Sequence, residues 1–176
     1  MYQPFIQRGG GTLNESWKPF VVGKLFPSII KPTVYHSHEL EEDINGIPYV
    51  VRSKFNNGIK CRVKKLETIS ISPAGVISFG AENASFFYQP EEWCSGRDIY
   101  YIDTRHISKN ACLFVASCLQ KVTSKYGYNY GLFPDLLKCE TIQLPVDSLG
   151  APNWTQMESF IDRISDRAKN LMKNLS

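Results

Sequence analysis

The sequence predicts a mixed α/β fold of the α+β kind, in which a mixed or antiparallel β-sheet is flanked by helices. Three observations support this class. Short stretches rich in β-branched and aromatic residues dominate the middle of the chain. Helical spacing of apolar residues is clear in two segments, near residue 110 and at the C-terminus. A length of 176 residues with 43% hydrophobic residues is typical of one compact domain with a single core.

Six short stretches are predicted as strands, because glycine, proline, asparagine and aspartate separate them. Their sequences are PFVVGKLF, IPYVVRS, TISIS, GVISFG, SFFYQ and DIYYID. The later segment LKCETIQLPV predicts one more strand, closed by a turn at residues 147–150. Before them, the run Gly9-Gly10-Gly11 predicts a loose arm over residues 1–16, since consecutive glycines make regular structure entropically costly.

Two helices are predicted. The first spans about residues 110–124 and carries an ordinary core stripe. The second begins at Asn153, an N-cap residue with Gln156 at the third helical position, and meets no glycine or proline up to Ser176. We therefore divide the chain into the arm, a central domain over residues 17–152 and a C-terminal helix over residues 153–176. The C-terminal helix has a coiled-coil seam of about three heptads, too short to stand alone, which predicts a partner helix along Met157, Ile161, Ile164, Ala168, Leu171 and Leu175.

Cysteine, histidine and hydropathy patterns argue against several classes of protein. The five cysteines include no Cys-x-x-Cys pair, which predicts free thiols, mostly buried. His36 and His38 stand beside several carboxylates, but an acidic surface loop accounts for the same residues better than a metal site does. No apolar run is long enough for a membrane helix, and the N-terminus lacks the pattern of a secretory signal. We expect a soluble cytoplasmic protein without metal or cofactor.

Local clusters of charge are more informative than the net charge of +3. Residues 52–65 contain six basic side chains and no acidic one, around the turn Asn56-Asn57-Gly58, where Asn57-Gly58 favours a type I′ hairpin turn. Basic residues along a hairpin suit DNA phosphates, and asparagines suit base edges. The alternative is a solvated edge hairpin whose lysines prevent aggregation.

A second cluster combines cations, amides and aromatic rings. Its members are Lys121, Lys125, Tyr126, Tyr128, Asn129, Tyr130 and Phe133. The alternative is that the tyrosines pack beneath the loop as core. Together the two clusters favour a nucleic-acid partner, and Arg97 is added from the turn Ser95-Gly96-Arg97. The candidate DNA-binding residues are Arg52, Lys54, Asn56, Asn57, Lys60, Lys64, Arg97, Lys125, Tyr128 and Asn129.

Motifs of two classes of DNA enzyme, nucleases and adenine methyltransferases, are missing from the sequence. Pro134-Asp135 is not followed by the Asp/Glu-x-Lys of many nucleases, and no Asn/Asp-Pro-Pro-Tyr stretch is present for methyl transfer to adenine. The sequence therefore predicts a protein without catalytic residues.

Four segments resemble the target-recognition domain of restriction-modification specificity subunits, of the type I and related type IIB and IIG kinds. They are NGIPYVVRSKFNNGIK, SPAGVISFGAENASFFYQPEEWCSGRDIYYID, KYGYN and LKCETIQLPVDSLGAPNWTQMESFI. The resemblance extends from about Trp17 to the C-terminus, and the closing strand, turn and helix are its most specific part.

The resemblance implies a DNA target-recognition domain with a curved sheet over residues 17–152 and a dimerisation or docking helix over residues 153–176. It also implies a non-catalytic protein that recognises a short sequence in double-stranded DNA and directs methyltransferase and nuclease or translocase subunits to it. A full type I subunit has two such domains joined by long helices, whereas this sequence has one. It is either a half-subunit that forms a homodimer through its C-terminal helix or a fragment of a longer chain, such as a type IIG enzyme. An RNA-binding module and a scaffold protein are the alternatives from other classes.

Overall fold

The fold is described by a computed structural model, which covers residues 16–82, 84–122, 125–126 and 130–175. Most of the strands follow one another along the chain and the two longest helices come after them, which confirms the mixed α+β class. The elements are β1 (Trp17–Val21), α1 (Val22–Leu25), β2 (Ile29–Ile30), β3 (Glu42–Val50), β4 (Ile59–Val63), β5 (Val76–Gly80), β6 (Phe86–Gln89), β7 (Cys94–Ser95), β8 (Ile99–Ile102), α2 (Lys109–Val122), α3 (Pro134–Cys139), β9 (Thr141–Pro145) and α4 (Trp154–Lys173).

The described strands form three sheets. The largest has four antiparallel strands in the order β2-β8-β5-β6. A three-stranded sheet has the order β4-β3-β7, in which β3 is antiparallel to β4 and parallel to β7. The antiparallel pair β1 and β9 places the start of the described chain beside the strand that precedes α4. The three-stranded sheet is thus mixed and the other two are antiparallel, which agrees with the predicted mixed or antiparallel pairing.

The main core lies between the four-stranded sheet and the helices. Helix α2 contributes Val115 and Leu119, which are fully buried, and the sheet contributes Ile77 and Phe79. Side chains from β9 and the start of α4 complete the cluster. Since these apolar groups come from most parts of the chain, their burial is the main driving force for bringing the sheet and helices together.

Two smaller clusters lie under the three-stranded sheet and between the sheets. The first includes Ile47, Tyr49 and Val63. The second surrounds Trp93, which is completely buried and whose indole N–H donates to the Pro73 carbonyl at 3.1 Å. The tryptophan therefore packs between the two sheets with its polar atom satisfied.

Three of the predicted strands differ from the observed elements. The first ends at Val21, and α1 follows it directly. The TISIS segment forms an isolated antiparallel bridge between Ser72 and Trp93 and is otherwise a loop, in which the Ser70 N–H donates to the Tyr35 hydroxyl at 2.7 Å and so forms no strand ladder. The LKC part of the last predicted strand belongs to α3, which begins with proline at its first position, where proline is favoured. Tertiary bonds and helix-start chemistry override the local β-propensity at these places.

The predicted β-hairpin forms between β3 and β4, but its connection is longer than two residues. The loop covers residues 51–58, and its tight turn is centred on Asn56 and Asn57 with φ of 48° and 52°. The Gly58 N–H closes this turn onto the Phe55 carbonyl at 2.9 Å. Positive φ at both central residues is the type I′ character that was predicted, placed one residue earlier.

Helix α4 begins as predicted. The Gln156 N–H donates to the Asn153 side chain at 3.1 Å, which caps the helix. Phe160 contacts Phe114 of α2 edge-to-face at 5.6 Å. Met157 was predicted to face a partner helix, but it is fully buried in the chain's own core. The first turns of α4 are therefore part of the folded domain.

The later turns of α4 present apolar side chains to solvent. Ile161 is half-buried against the core, whereas the remaining seam residues are exposed: Ile164, Ala168, Leu171 and Leu175. None of the helices in the described part of the chain has the length and apolar character needed to cross a membrane. Residues 1–15 of the predicted arm lie outside the described residues.

All five cysteines are free thiols, as expected. Cys94, Cys112 and Cys118 are buried, Cys61 is half-buried and Cys139 is exposed. Burial raises the pKa of both Cys94 and Cys118 to about 11, so their thiolate forms are scarce near neutral pH.

The two ends of α4 allow a matched test of its packing. Replacing Met157 with alanine removes a fully buried side chain, so we expect the free energy of unfolding to fall by about 2–5 kcal/mol. Met172→Ala removes the same side chain where it is 72% exposed, so the change should stay within about 0.5 kcal/mol. Urea denaturation followed by circular dichroism measures both values. Equal effects of the two substitutions would contradict the packing of α4.

The thiols provide a test of the core at residue resolution. Alkylation depends on access and on the thiolate form, so we expect iodoacetamide at pH 8 to modify Cys139 at least about 100-fold faster than Cys94 or Cys118. Peptide mass spectrometry over a time course measures the rates. In urea the three rates should converge, and similar rates in the native protein would show that the core is open.

Candidate nucleic-acid interface

An open cleft of about 370 Å³ lies where the end of β3 meets the segment before β3 and the turn after β7. Its walls carry imidazole, guanidinium and hydroxyl groups, all of which can donate hydrogen bonds. The lining residues are Tyr35, His36, Ser37, His38, Tyr49, Val51, Arg52 and Arg97.

Backbone hydrogen bonds fix the three segments around the cleft. The Tyr35 N–H donates to the Ser95 carbonyl at 2.8 Å, and the Gly96 N–H donates to the Val50 carbonyl at 2.8 Å. The Tyr49 hydroxyl donates to the Tyr35 carbonyl at 2.7 Å. Because each bond joins residues far apart in sequence, the cleft depends on the tertiary structure.

The two histidines form one wall of the cleft. Their rings are stacked, with centroids 5.7 Å apart and planes at 13°. The His36 N–H donates to the Glu39 carboxylate at 2.5 Å, which closes a short 3₁₀ turn over Ser37–Glu39. Among the described residues, no group of three or more His, Cys, Asp or Glu side chains is placed to hold a metal. The carboxylate near His36 thus belongs to a turn.

Both arginines of the cleft meet the same carboxylate. Asp98 lies 3.5 Å from a guanidinium nitrogen of Arg52 and 3.2 Å from Nε of Arg97. Arg52 also forms an ion pair with Glu82. Asp98 therefore holds two predicted DNA-binding residues, 45 positions apart in sequence, at one site.

Carboxylates from other segments also neutralise much of the 52–65 cluster. Arg62 forms a forked pair with Glu91 at 2.9 and 2.6 Å, which raises the pKa of Arg62 and lowers that of Glu91. Lys64 pairs with Glu41 at 3.3 Å. In the same way, Lys65 pairs with Glu92 at 2.6 Å. The stretch without acids in the sequence is therefore flanked by acids in the fold.

Two lysines of the cluster differ from these. Lys60 donates to the Ser37 hydroxyl at 2.9 Å, beside the cleft. Lys54 lies exposed on the 51–58 loop and forms no ion pair with a carboxylate in the described part of the chain. Together with Arg97 they give the cleft and loop a positive edge.

The second predicted cluster is organised around Glu140. This carboxylate accepts hydrogen bonds from Lys125 at 2.7 Å and from the Tyr126 hydroxyl, which raises the pKa of Tyr126 to about 12. Burial of Glu140 raises its pKa, but the bonds from Lys125 and Tyr126 outweigh this, so the net direction is downward. Tyr130 stacks on Tyr126 at 5.7 Å and is itself exposed. Lys125 is thus neutralised, while an aromatic surface remains accessible.

The structure brings together only part of the predicted site. Arg52, Arg97 and Lys60 meet at the cleft, and the adjacent loop carries Lys54, Asn56 and Asn57. Lys64 pairs with Glu41 and Lys125 with Glu140. Tyr128 and Asn129 lie outside the described residues.

Several residues on this surface were not among the candidate DNA-binding residues predicted from the sequence. His36 and His38 line the cleft, and Phe55 projects from the loop beside it. The spacing of the histidines suggested only a possible metal site. Their position beside Arg97 depends on the tertiary structure. A phenylalanine in a turn rich in asparagine was the available signal for Phe55.

Comparison with known proteins gives matches of two kinds. No family model matches the chain. In sequence, the chain is 24% identical over 160 residues to the specificity subunit S.BcgI of a type II restriction enzyme from Heyndrickxia coagulans, covering 90% of this chain and 46% of that protein.

Solved structures match the fold of nearly the whole chain. The HsdS subunit from Thermoanaerobacter tengcongensis aligns with a TM-score of 0.60 at 16% identity, over 97% of this chain and 42% of that one. The S subunit of a type I restriction-modification system from M. genitalium aligns with a TM-score of 0.57 at 14% identity, over 92% of this chain and 43% of that one. The chain thus spans about half the length of the relatives it matches. The resemblance noted in the sequence is confirmed: this chain is related, in sequence and in fold, to restriction-modification specificity subunits.

Proposed function

We propose that this chain recognises a short sequence in double-stranded DNA and directs methyltransferase and nuclease or translocase subunits to it, without catalysing a reaction itself. The observation that carries the proposal is the matching fold together with the cleft, where cationic groups gather beside an ordered loop. The region over residues 17–152 would then be the recognition domain and residues 153–176 the docking helix.

The pairing of Arg97 is compatible with phosphate binding. Its side chain is 73% exposed and contacts Asp98 through Nε. A guanidinium has five N–H donors, so one carboxylate oxygen leaves capacity for a phosphate. Lys60 beside the cleft and Lys54 on the adjoining loop add flexible point charges. These three residues are proposed as phosphate contacts, and Asn56 and Asn57 as residues near base edges.

The carboxylates around the cluster suggest how binding stays selective. Arg62, Lys64 and Lys65 are each paired within the domain, so a DNA duplex would have to compete for them. Fewer available cations mean fewer phosphates neutralised, and hence weaker binding to arbitrary sequence. Affinity would then depend more on contacts to the right bases.

We also propose that the exposed half of α4 packs against another helix, either of a second copy or of a methyltransferase subunit. The apolar stripe continues at steps of three and four beyond the part buried in the core. In a homodimer, twofold symmetry would place two identical recognition domains on the same short sequence inverted across a spacer.

Salt dependence tests the DNA proposal. In the triple variant Lys54→Ala, Lys60→Ala, Arg97→Ala, we expect the slope of log K against log salt to become shallower by about one for each lost phosphate contact. The matched control Arg167→Ala, Lys169→Ala, Lys173→Ala removes the same charge from α4 and should keep the wild-type slope. Fluorescence anisotropy with labelled duplex DNA gives the slopes, and single-stranded RNA is the competitor. Equal slopes for both variants would contradict the assigned face, and preferential competition by RNA would contradict a duplex DNA target.

The helix proposal is tested by self-association. Leu171→Glu puts a charge into the exposed stripe, so we expect the dimer fraction to fall at least about tenfold, because an uncompensated charge in an apolar contact is costly. Asn170→Glu adds the same charge beside the stripe and should leave the dimer intact. Sedimentation velocity at tens of micromolar measures both. A monomeric wild-type chain would rule out the homodimer.

A further inference from the structure

Phe55 lies on the loop between β3 and β4, and its ring is 81% exposed. Burying a phenylalanine side chain is favourable, and this ring gains almost none of that stabilisation in the folded chain. Single exposed apolar residues are common on protein surfaces, so exposure alone does not assign a role to the ring. The loop that carries Phe55, however, is extensively hydrogen-bonded.

Local hydrogen bonds hold the loop on both sides of the ring. The Phe55 N–H donates to the Ser53 hydroxyl at 3.1 Å, and the Phe55 carbonyl accepts from the Gly58 N–H at 2.9 Å. The Asn56 side-chain amide donates to the Ile59 carbonyl at 3.1 Å. These bonds fix the direction in which the ring projects.

A buried side chain anchors the tip of the loop to the four-stranded sheet. Gln89, at the end of β6, is completely buried, and its amide donates to the Asn57 carbonyl at 3.0 Å and to the Ser78 hydroxyl at 2.8 Å. Burying a polar amide is costly unless it is hydrogen-bonded, so this contact is specific. Asn56 and Asn57 adopt positive φ, which asparagine tolerates better than most residues with a Cβ. The turn thus has a defined conformation, and it presents an exposed phenyl ring.

The surroundings of the ring indicate the chemistry of its partner. Arg52 at the start of the loop is paired with Glu82 and Asp98. Lys54, next to the ring, is exposed and forms no ion pair with a carboxylate in the described part of the chain, and the cleft with Arg97 and Lys60 adjoins the loop. The partner must therefore offer an apolar group within a negatively charged surface. Protein–protein interfaces are enriched in aromatic residues and arginine but depleted in lysine, so Lys54 beside the ring makes a protein pocket a poorer fit. The major groove of DNA fits, because the C5 methyl of thymine is an apolar group between two rows of phosphates.

We propose that Phe55 contacts the thymine methyl at one position of the recognised sequence and so determines specificity there. This inference rests on the proposed function, because it needs a chain that distinguishes DNA sequences.

The experiment uses selection followed by a change of one methyl group. The full chain and its Phe55→Ala variant each select from a random duplex library, and the enriched sequences are compared. We expect wild type to prefer thymine at a position where Phe55→Ala has lost the preference. Replacing that thymine with deoxyuridine should weaken binding by wild type about fourfold, the value for losing one buried methyl-sized group, and leave Phe55→Ala unaffected.

The control is Leu149→Ala, which removes another exposed apolar side chain, 92% exposed on the turn before α4. It should select the same sequence as wild type, with the same sensitivity to deoxyuridine. A Phe55→Ala variant with the wild-type preference would overturn the inference and assign the ring to another partner. No effect of deoxyuridine on wild type would overturn the thymine contact. If wild type enriches no sequence, the proposed function itself fails, so the two failures are distinguishable.

Discussion

The candidate interface depends on strand β3 being paired along both edges. Tyr49 is in register with Cys61 of β4 on one side and with Cys94 of β7 on the other. Because both edges of β3 are hydrogen-bonded, the position of its end at Val50 is fixed, and so is the starting point of the loop that follows. The Val51 N–H bonds to the Gly58 carbonyl at 2.8 Å, which starts the loop on one side, while β7 carries the turn with Arg97 on the other. The loop and the cleft thus share one support.

Local signals in the sequence predicted the parts of the fold that local chemistry determines. The cap of α4, the stripe of α2 and the positive φ within the asparagine turn depend on neighbouring residues, and all three are present. The strand predicted for the TISIS segment does not form. Its Ser72 bonds to the backbone of Trp93, but its Ser70 N–H donates to the Tyr35 side chain, and both partners are more than 20 positions away. Strand propensity gives no information about such partners.

The charges of the candidate site were the least predictable feature. Six basic residues in a row of fourteen predict a positive ribbon, but Arg62 and Lys65 find carboxylates 29 and 27 residues later in the chain. The chain folds so that the nearly balanced totals of 20 basic and 17 acidic residues are balanced locally too. The cations left for a partner are few: Arg97 lines the cleft, Lys60 lies beside it and Lys54 is on the adjoining loop. Long-range ion pairs depend on the assembled sheets, so a single sequence does not reveal them.

The burial of Met157 fixes the first turns of α4 in the core of the domain. A helix rises about 1.5 Å and turns about 100° per residue, so its exposed half leaves the domain at a fixed height and a fixed rotation. The position of α4 therefore determines the height and the rotation, relative to the cleft, of any protein that binds to that half. The distance between the cleft and such a partner is therefore set in discrete steps, and adding one residue to α4 would swing the partner about a quarter of the way around the helix axis.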